Sequence, residues 1–411
     1  MKKKKIILLP AFILCCLCWL SGCNANTQDA PPAKVVPVVG NMGSVISRLA
    51  ENPVRVEIGQ SDVTIELNYL AWPTITQDEN GTLYAAASLR RGHIDPFGAT
   101  AFFESTDGGE TWSEPRIIYD SPLDDRDVGL VYIGEGKMVA SFFTIGARSY
   151  RDGGRYAKHW GNCDETQKQA KLTQWDSFAP GLLQDYSGNF IMTSEDYGKT
   201  WNAPTRVSFT CPHGPSLMND GKTLICATVA EGIFSTYMSE DSGNTWYLNS
   251  AKALPLLTDK GGFYEPHIIQ LSDGSFLAGI RSENANGSKL GVWITRSEDG
   301  KNWTIAEEIS SVEGAPPHLL ELSSGIVVMT YSYRQNHYGV RACYSIDGGK
   351  TWSDEQIILS ENTSQRNNDL GYPASVELDD GTILTAYYQP YGNDAPAALL
   401  YTKWQLASLD G

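Results

Sequence analysis

The sequence predicts an all-β fold: a six-bladed β-propeller with four-stranded antiparallel blades. Two internal repeats and their spacing predict it. The first is a Ser-x-Asp-x-Gly-x-Thr-Trp turn at residues 105–112, 194–201, 239–246 and 345–352, with a copy one residue shorter at 297–303. The second is a hairpin pattern of alternating apolar residues around a Gly turn. Its six copies open near Trp72, Asp127, His213, Glu265, His318 and Tyr372, and turn at Gly81, Gly136, Gly221, Gly274, Gly325 and Gly381. Self-similarity at this period is the signature of propellers and arrays.

Each repeat has the mechanics of a strand connection. In the first, Asp accepts N–H bonds within its own turn, Gly takes positive φ, and Trp packs into the sheet below. In the second, Asn-Gly and Asp-Gly pairs between period-two segments are hairpin signals. Six hairpins, five followed by a turn of the first kind, make six blades. The last blade lacks that turn, and residues 54–67 are expected to supply its outer strand, since the ring must leave no open edge. The interval from Asp107 to Asp196 is 89 residues, against 45, 58 and 48 for the later ones. The excess is an insertion in the second blade, roughly 146–187, rich in aromatic and basic residues. A long loop on a rigid scaffold often serves a site; a plain surface loop is the other reading.

The N-terminus sets the expected compartment. Lys2 to Lys5 form a basic flank, and the 15 apolar residues 6–20 are too few to span a bilayer but suit a signal peptide. The following Leu20-Ser21-Gly22-Cys23 resembles a bacterial lipobox, which implies lipidation at Cys23. The alternative is an ordinary signal peptide with a chance Cys. The expected organisation is a signal peptide at 1–22, a flexible tether at 23–50 and the propeller at 51–411. The expected location is the bacterial cell envelope, lipid-anchored, in the periplasm or at the outer-membrane surface.

Net charge is −16, and removing the four lysines of the signal makes it −20. So acidic a chain is a poor candidate for nucleic acid, although a few arginines in a cleft still suit an anionic ligand. Cys163, Cys211, Cys226 and Cys343 remain in the mature chain and match no zinc spacing. Export permits disulfides, and Cys211 could face Cys226 across a hairpin.

In a propeller the residues just before each first strand, and just after each second strand, converge on one mouth of the channel. The first set is Trp72, Asp127, His213, Glu265, His318 and Tyr372; the second includes Arg90, Arg281 and Arg334. Plugging of the channel by large polar side chains predicts mixed residue types. Three arginines at matching strand ends, with a Glu and a Tyr, point instead to a site. His213 and His318 read as structural hydrogen-bonding residues or, with His267, as a metal or lyase site.

The Trp-bearing turns resemble the Asp-box of sialidase-type propellers, and the blade openings resemble those of bacterial exo-sialidases. That resemblance implies a glycan substrate and a retaining exo-glycosidase. Tyr372 would be the nucleophile, Glu265 its base, and Arg281 and Arg334 members of a clamp on the substrate carboxylate. The loop Arg90-Arg91-Gly92-His93-Ile94-Asp95 resembles the one carrying the family's acid/base Asp, which implies that role for Asp95. The chemistry is coherent. A tyrosine attacks an anomeric centre beside a carboxylate without the repulsion that a carboxylate nucleophile meets, and planar guanidinium groups bind carboxylates at two points. One departure stands out. Sialidases open the first blade with Arg-Ile-Pro, whereas this chain has Ala71-Trp72-Pro73. Arg90 or Arg91 could compensate, or Trp72 could stack on a different sugar, so another exo-glycosidase, a polysaccharide lyase and a non-catalytic glycan-binding propeller remain alternatives. No cofactor is called for, though the acidic turns could hold a structural calcium ion.

Overall fold

Each hairpin repeat and the strand pair that follows it fold into one antiparallel blade, and six such blades form the ring. The computed structural model describes residues 35–39, 44–49, 52–58, 63–362, 368–390 and 395–408. The signal segment, Cys23 and the first part of the tether lie outside the described residues.

The first blade runs Tyr69–Gln77, Leu83–Arg90, Ala99–Ser105 and Arg116–Tyr119. The second runs Asp124–Tyr132, Met138–Ile145, Gly188–Ser194 and Thr205–Val207. The third, fourth and fifth begin at Ser216, Gly262 and Pro317. The sixth runs Gly371–Glu377, Ile383–Pro390 and Ala397–Ser408. The innermost strands of the first and second blades are buried almost throughout because neighbouring blades cover both faces. Tyr69–Gln77 is buried at every position but its last.

The Asp-boxes join the third and fourth strands of the first five blades. In the first, Asp107 accepts from the Thr111 amide (2.9 Å) and hydroxyl (2.5 Å), and the Trp112 indole donates to the Gly109 carbonyl (3.1 Å). Those hydrogen bonds hold the Asp107 carboxyl down at about 2. The boxes also lock neighbouring blades together. A Cβ on Gly349 would lie 2.7 Å from Leu277 in the preceding blade, so the turn needs glycine for space as well as for its φ of +79°.

Ring closure departs from the expectation. The outer strand of the sixth blade comes from Val35–Val39 and Ser44–Ser47, which pair in succession with Ala397–Ser408. Part of the expected tether is therefore propeller. Residues 54–67 instead form their own hairpin, Val54–Glu57 with Thr64–Leu67. It buries Ile65 and Leu67 against the first and last blades. The insertion folds into a 13-residue helix, α1 (Glu165–Ser177), a short helix, α2 (Leu182–Asp185), and a small core around Tyr150, Trp160 and Trp175. A reciprocal cap between Asp164 and Gln167 starts α1. Cys211 and Cys226 share a buried cluster with Phe209 but are free thiols, as are Cys163 and Cys343.

Candidate functional site

Four blade openings share one unusual backbone feature. Trp72, Asp127, Glu265 and Tyr372 all have positive φ (52°, 50°, 38° and 47°), each at a register shift in the innermost strand pair. A bulge of this kind re-aims a side chain, and a non-glycine residue held there costs on the order of 1–3 kcal/mol. At two of the four, the amide freed by the bulge finds a serine of the preceding blade. Asp127 N donates to Ser88 Oγ and Tyr372 N to Ser332 Oγ, both at 2.9 Å. All four side chains turn into a pocket of about 660 Å³ at the channel mouth.

Tyr372 and Glu265 meet on its floor. The Tyr372 hydroxyl donates to Glu265 Oε1 at 2.6 Å, and Arg281 Nη1 donates to Glu265 Oε2 at 2.6 Å. Burial would raise the Glu265 carboxyl, but Arg281, the Tyr372 hydroxyl and Arg334 outweigh it and hold it below its usual range. Burial, then the Glu265 charge, push the Tyr372 phenol well above its usual value. At rest the pair is therefore a neutral phenol hydrogen-bonded to a carboxylate. The proton can move to Glu265 only as negative charge on the phenolic oxygen is consumed by bond formation.

The arginines divide into two kinds. Arg281 is committed, with Nη1 on Glu265 and Nη2 on Glu283 at 2.7 Å. Arg334 makes no hydrogen bond among the described residues. Arg126 makes none either, but it stands in loose ion pairs, with Nη1 4.0 Å from Asp124 and Nε 3.9 Å from Asp127. Arg126 lies over the Trp72 ring at 4.3 Å and Arg334 over the Tyr372 ring at 5.5 Å, both facing the pocket. Two guanidinium groups in one cavity, neither of them hydrogen-bonded among the described residues, form a receptor for an anion.

Several expected site residues lie elsewhere. Asp95 is fully buried and takes a bidentate pair from Arg91 (2.6 and 3.0 Å), plus the amides of Arg91 and Phe97. Every lone pair has a partner and Asp95 does not line the pocket, so the structure does not bring it to the Tyr372–Glu265 pair as the loop's resemblance implied. Arg90 is also fully buried, paired with Asp124 at 2.6 Å, and does not line the pocket. Neither Arg90 nor Arg91 fills the gap left at Ala71. Trp72 lines the pocket, but its ring is covered by Arg126, Arg90 and the edge of His93, leaving little face for a sugar. His213 and His318 lie beneath the floor. His213 stacks on Tyr372, and His318 stacks on His267 at 4.2 Å. Burial depresses them to about 4 and 3, so they are neutral structural rings. No group of three or more His, Cys, Asp or Glu among the described residues is arranged to hold a metal ion.

Arg126 and His93 had no sequence assignment. Arg126 sits one position before the Asp127 bulge, the same offset at which blade one carries Ala71. Aligning the openings by position would have revealed it. Asp127 itself lines the pocket; burial above all, then Glu265, raise its carboxyl to about 7 against the opposing pull of Arg126. His93 comes from the loop that was searched for an acid, and its Nδ1 lies 2.9 Å from Asp369 Oδ1. Ser149, Arg155 and Tyr156 bring the insertion to the rim, so it belongs to the site. The insertion is tied down there: Tyr150 donates to Asp124, and Arg91 reaches Gln167 of α1 at 2.9 Å.

Comparison with known proteins bears on the fold and the family. The protein called sialidase from Bacteroides fragilis is 25% identical over 356 residues, covering 77% of this chain; this chain spans 59% of that protein's length. A crystal structure of a protein of unknown function from Dyadobacter fermentans superposes with a TM-score of 0.67 at 21% identity, covering 90% of this chain and all of that one. The NanB sialidase of Streptococcus pneumoniae superposes with a TM-score of 0.59 at 16% identity, covering 87% of this chain and 71% of that one. The family model described as a BNR repeat-like domain matches residues 168–385, more than half of the sequence. The chain therefore belongs to the BNR repeat-like family, as a sialidase-type six-bladed propeller.

Proposed function

We propose that this protein is an exo-acting glycoside hydrolase that releases a terminal acidic sugar. One observation carries the reading: Arg126 and Arg334, neither of them hydrogen-bonded among the described residues, line the pocket that holds the Tyr372–Glu265 pair. An anionic sugar held by those arginines would bring its anomeric carbon toward the Tyr372 hydroxyl. Tyr372 attacks, passing its proton to Glu265. The carboxylate that Arg126 and Arg334 hold would disfavour an Asp or Glu nucleophile but not a phenol. Arg281 fixes Glu265 in place and stabilises the charge that the pair shares.

The sugar is identified by a release assay with 4-methylumbelliferyl sialosides, uronides and deoxy sugars. Release of an acidic sugar supports the reading. Unsaturated products would make the protein a lyase, and binding without turnover would make it a glycan-binding module. The signal and lipobox further support a lipid-anchored location at the cell envelope. Incorporation of labelled palmitate, lost in Cys23→Ala, tests that.

A further inference from the structure

A retaining reaction needs a proton for the leaving oxygen, and Asp95 is buried away from the pocket. We propose that His93, oriented by Asp369, supplies that proton as the catalytic acid and then acts as the base. This rests on the reading of Tyr372 as nucleophile.

Three observations carry it. First, His93 lines the pocket with its side chain 52% exposed, while the acid of its own loop faces inward. The Arg91–Asp95 pair folds the loop so that its base is buried and His93 is at the mouth. Second, the imidazole is oriented as a working acid/base must be. Nδ1 is held by Asp369 Oδ1, and Nε2 has no partner among the described residues. Asp369 is fixed in turn by hydroxyls of Tyr69 (2.7 Å) and Tyr388 (3.0 Å). A ring nitrogen held by a carboxylate, with the other left without a protein partner in a pocket, is the arrangement of a histidine general acid/base. Third, His93 and Tyr372 both contact the edge or face of Trp72, at centroid distances of 5.1 and 6.4 Å. They therefore flank one site from different blades. The rival is Asp127, but its carboxyl lies 3.9 Å from Arg126, among the groups that would hold the substrate's anion.

The protons balance. As Tyr372 Oη bonds to the anomeric carbon, its proton goes to Glu265. The bond from that carbon to the leaving oxygen breaks, and the oxygen takes the proton from His93 Nε2. In the second half, neutral His93 takes a proton from water as the water oxygen bonds to the anomeric carbon. The Tyr372–carbon bond breaks, and the phenolate recovers its proton from Glu265.

The test compares a 4-methylumbelliferyl sialoside, whose phenol leaves without help, with sialyllactose, whose alcohol needs a proton. His93→Asn should lower sialyllactose turnover by about 10²-fold or more, and lower aryl turnover in the first step far less. Azide, which attacks without base assistance, should restore aryl turnover and give a glycosyl azide. Asp369→Asn should show a weaker form of the same split. An equal loss on both substrates, without azide rescue, overturns the proposal. Tyr372→Phe separates it from the reading beneath: retained turnover there sinks the nucleophile whatever His93 does. If the release assay identifies another acidic sugar, the aryl and alkyl glycosides of that sugar replace these two, and wild-type protein inert toward every acidic glycoside overturns the two readings together.

Discussion

The Tyr372 hydroxyl donates to Glu265 Oε1 across 2.6 Å, although the two residues are 107 positions apart and open different blades. Their positive φ values, 47° and 38°, aim both at one point. Tyr372→Phe should abolish turnover, by on the order of 10⁴-fold or more in kcat. It should leave the thermal midpoint nearly unchanged, because Arg281 still pairs with Glu265. Steady-state kinetics beside thermal unfolding checks this; a variant within tenfold of wild type removes the nucleophile.

Asp95 should behave as a structural residue. Asp95→Asn leaves the buried Arg91 guanidinium without its carboxylate, a loss of about 3–5 kcal/mol in stability for a broken buried pair. Denaturant unfolding should show that loss. The folded fraction should treat aryl and alkyl glycosides alike. A normal unfolding curve with selective loss of alkyl glycoside turnover would return the acid/base role to Asp95.

Arg126 should act in binding. Asp124 and Asp127 lie 4.0 and 3.9 Å away, too far to take its hydrogen bonds, so an anion in the pocket can still receive them. Arg126→Ala should raise KM for an acidic substrate by roughly 10- to 100-fold, the equivalent of about 1.5–3 kcal/mol for charge-assisted hydrogen bonds. A neutral glycoside should be affected far less. Equal effects on charged and neutral substrates would mean that Arg126 supports Trp72 rather than an anion.

The propeller was legible because its signals are local and repeated: each box completes its own turn, and each Gly hairpin pairs adjacent strands. The Tyr372–Glu265 pair was legible because both open blades. Ring closure was not. Val35–Val39 contains Pro37, which reads as linker, yet proline suits an outer strand whose N–H can face outward. The burial of Asp95 was not legible for a different reason. The loop's resemblance pointed to the carboxylate, but the ion pair with Arg91 holds it inside and leaves His93 lining the pocket. Such a pair, two side chains competing for one orientation, leaves no periodic trace. Arg126 escaped because it stands in a blade where the sialidase pattern places no clamp.

The histidines beneath the floor should make stability depend on pH through their neutral state. Burial lowers His318 to about 3, whereas an unfolded histidine titrates near about 6.5. Between those values the unfolded chain holds a proton that the native chain does not. Native stability therefore falls as pH drops through that window, by about 1.4 kcal/mol per unit for this one group. Asp127 works in the opposite direction. Its carboxyl, raised to about 7 by burial, keeps a proton in the native state that the unfolded chain gives up above about pH 4. The total slope thus mixes several groups, and a variant isolates one. His318→Asn removes a ring whose Nδ1 has no hydrogen bond, losing mainly the stack on His267. Urea unfolding at pH 7, 6 and 5 should show the variant less stable than wild type at pH 7. The gap should narrow by about 2 kcal/mol between pH 7 and pH 5, most of it below pH 6. Parallel curves would mean that His318 is charged in the native state, which would place a cation under Tyr372 and Glu265.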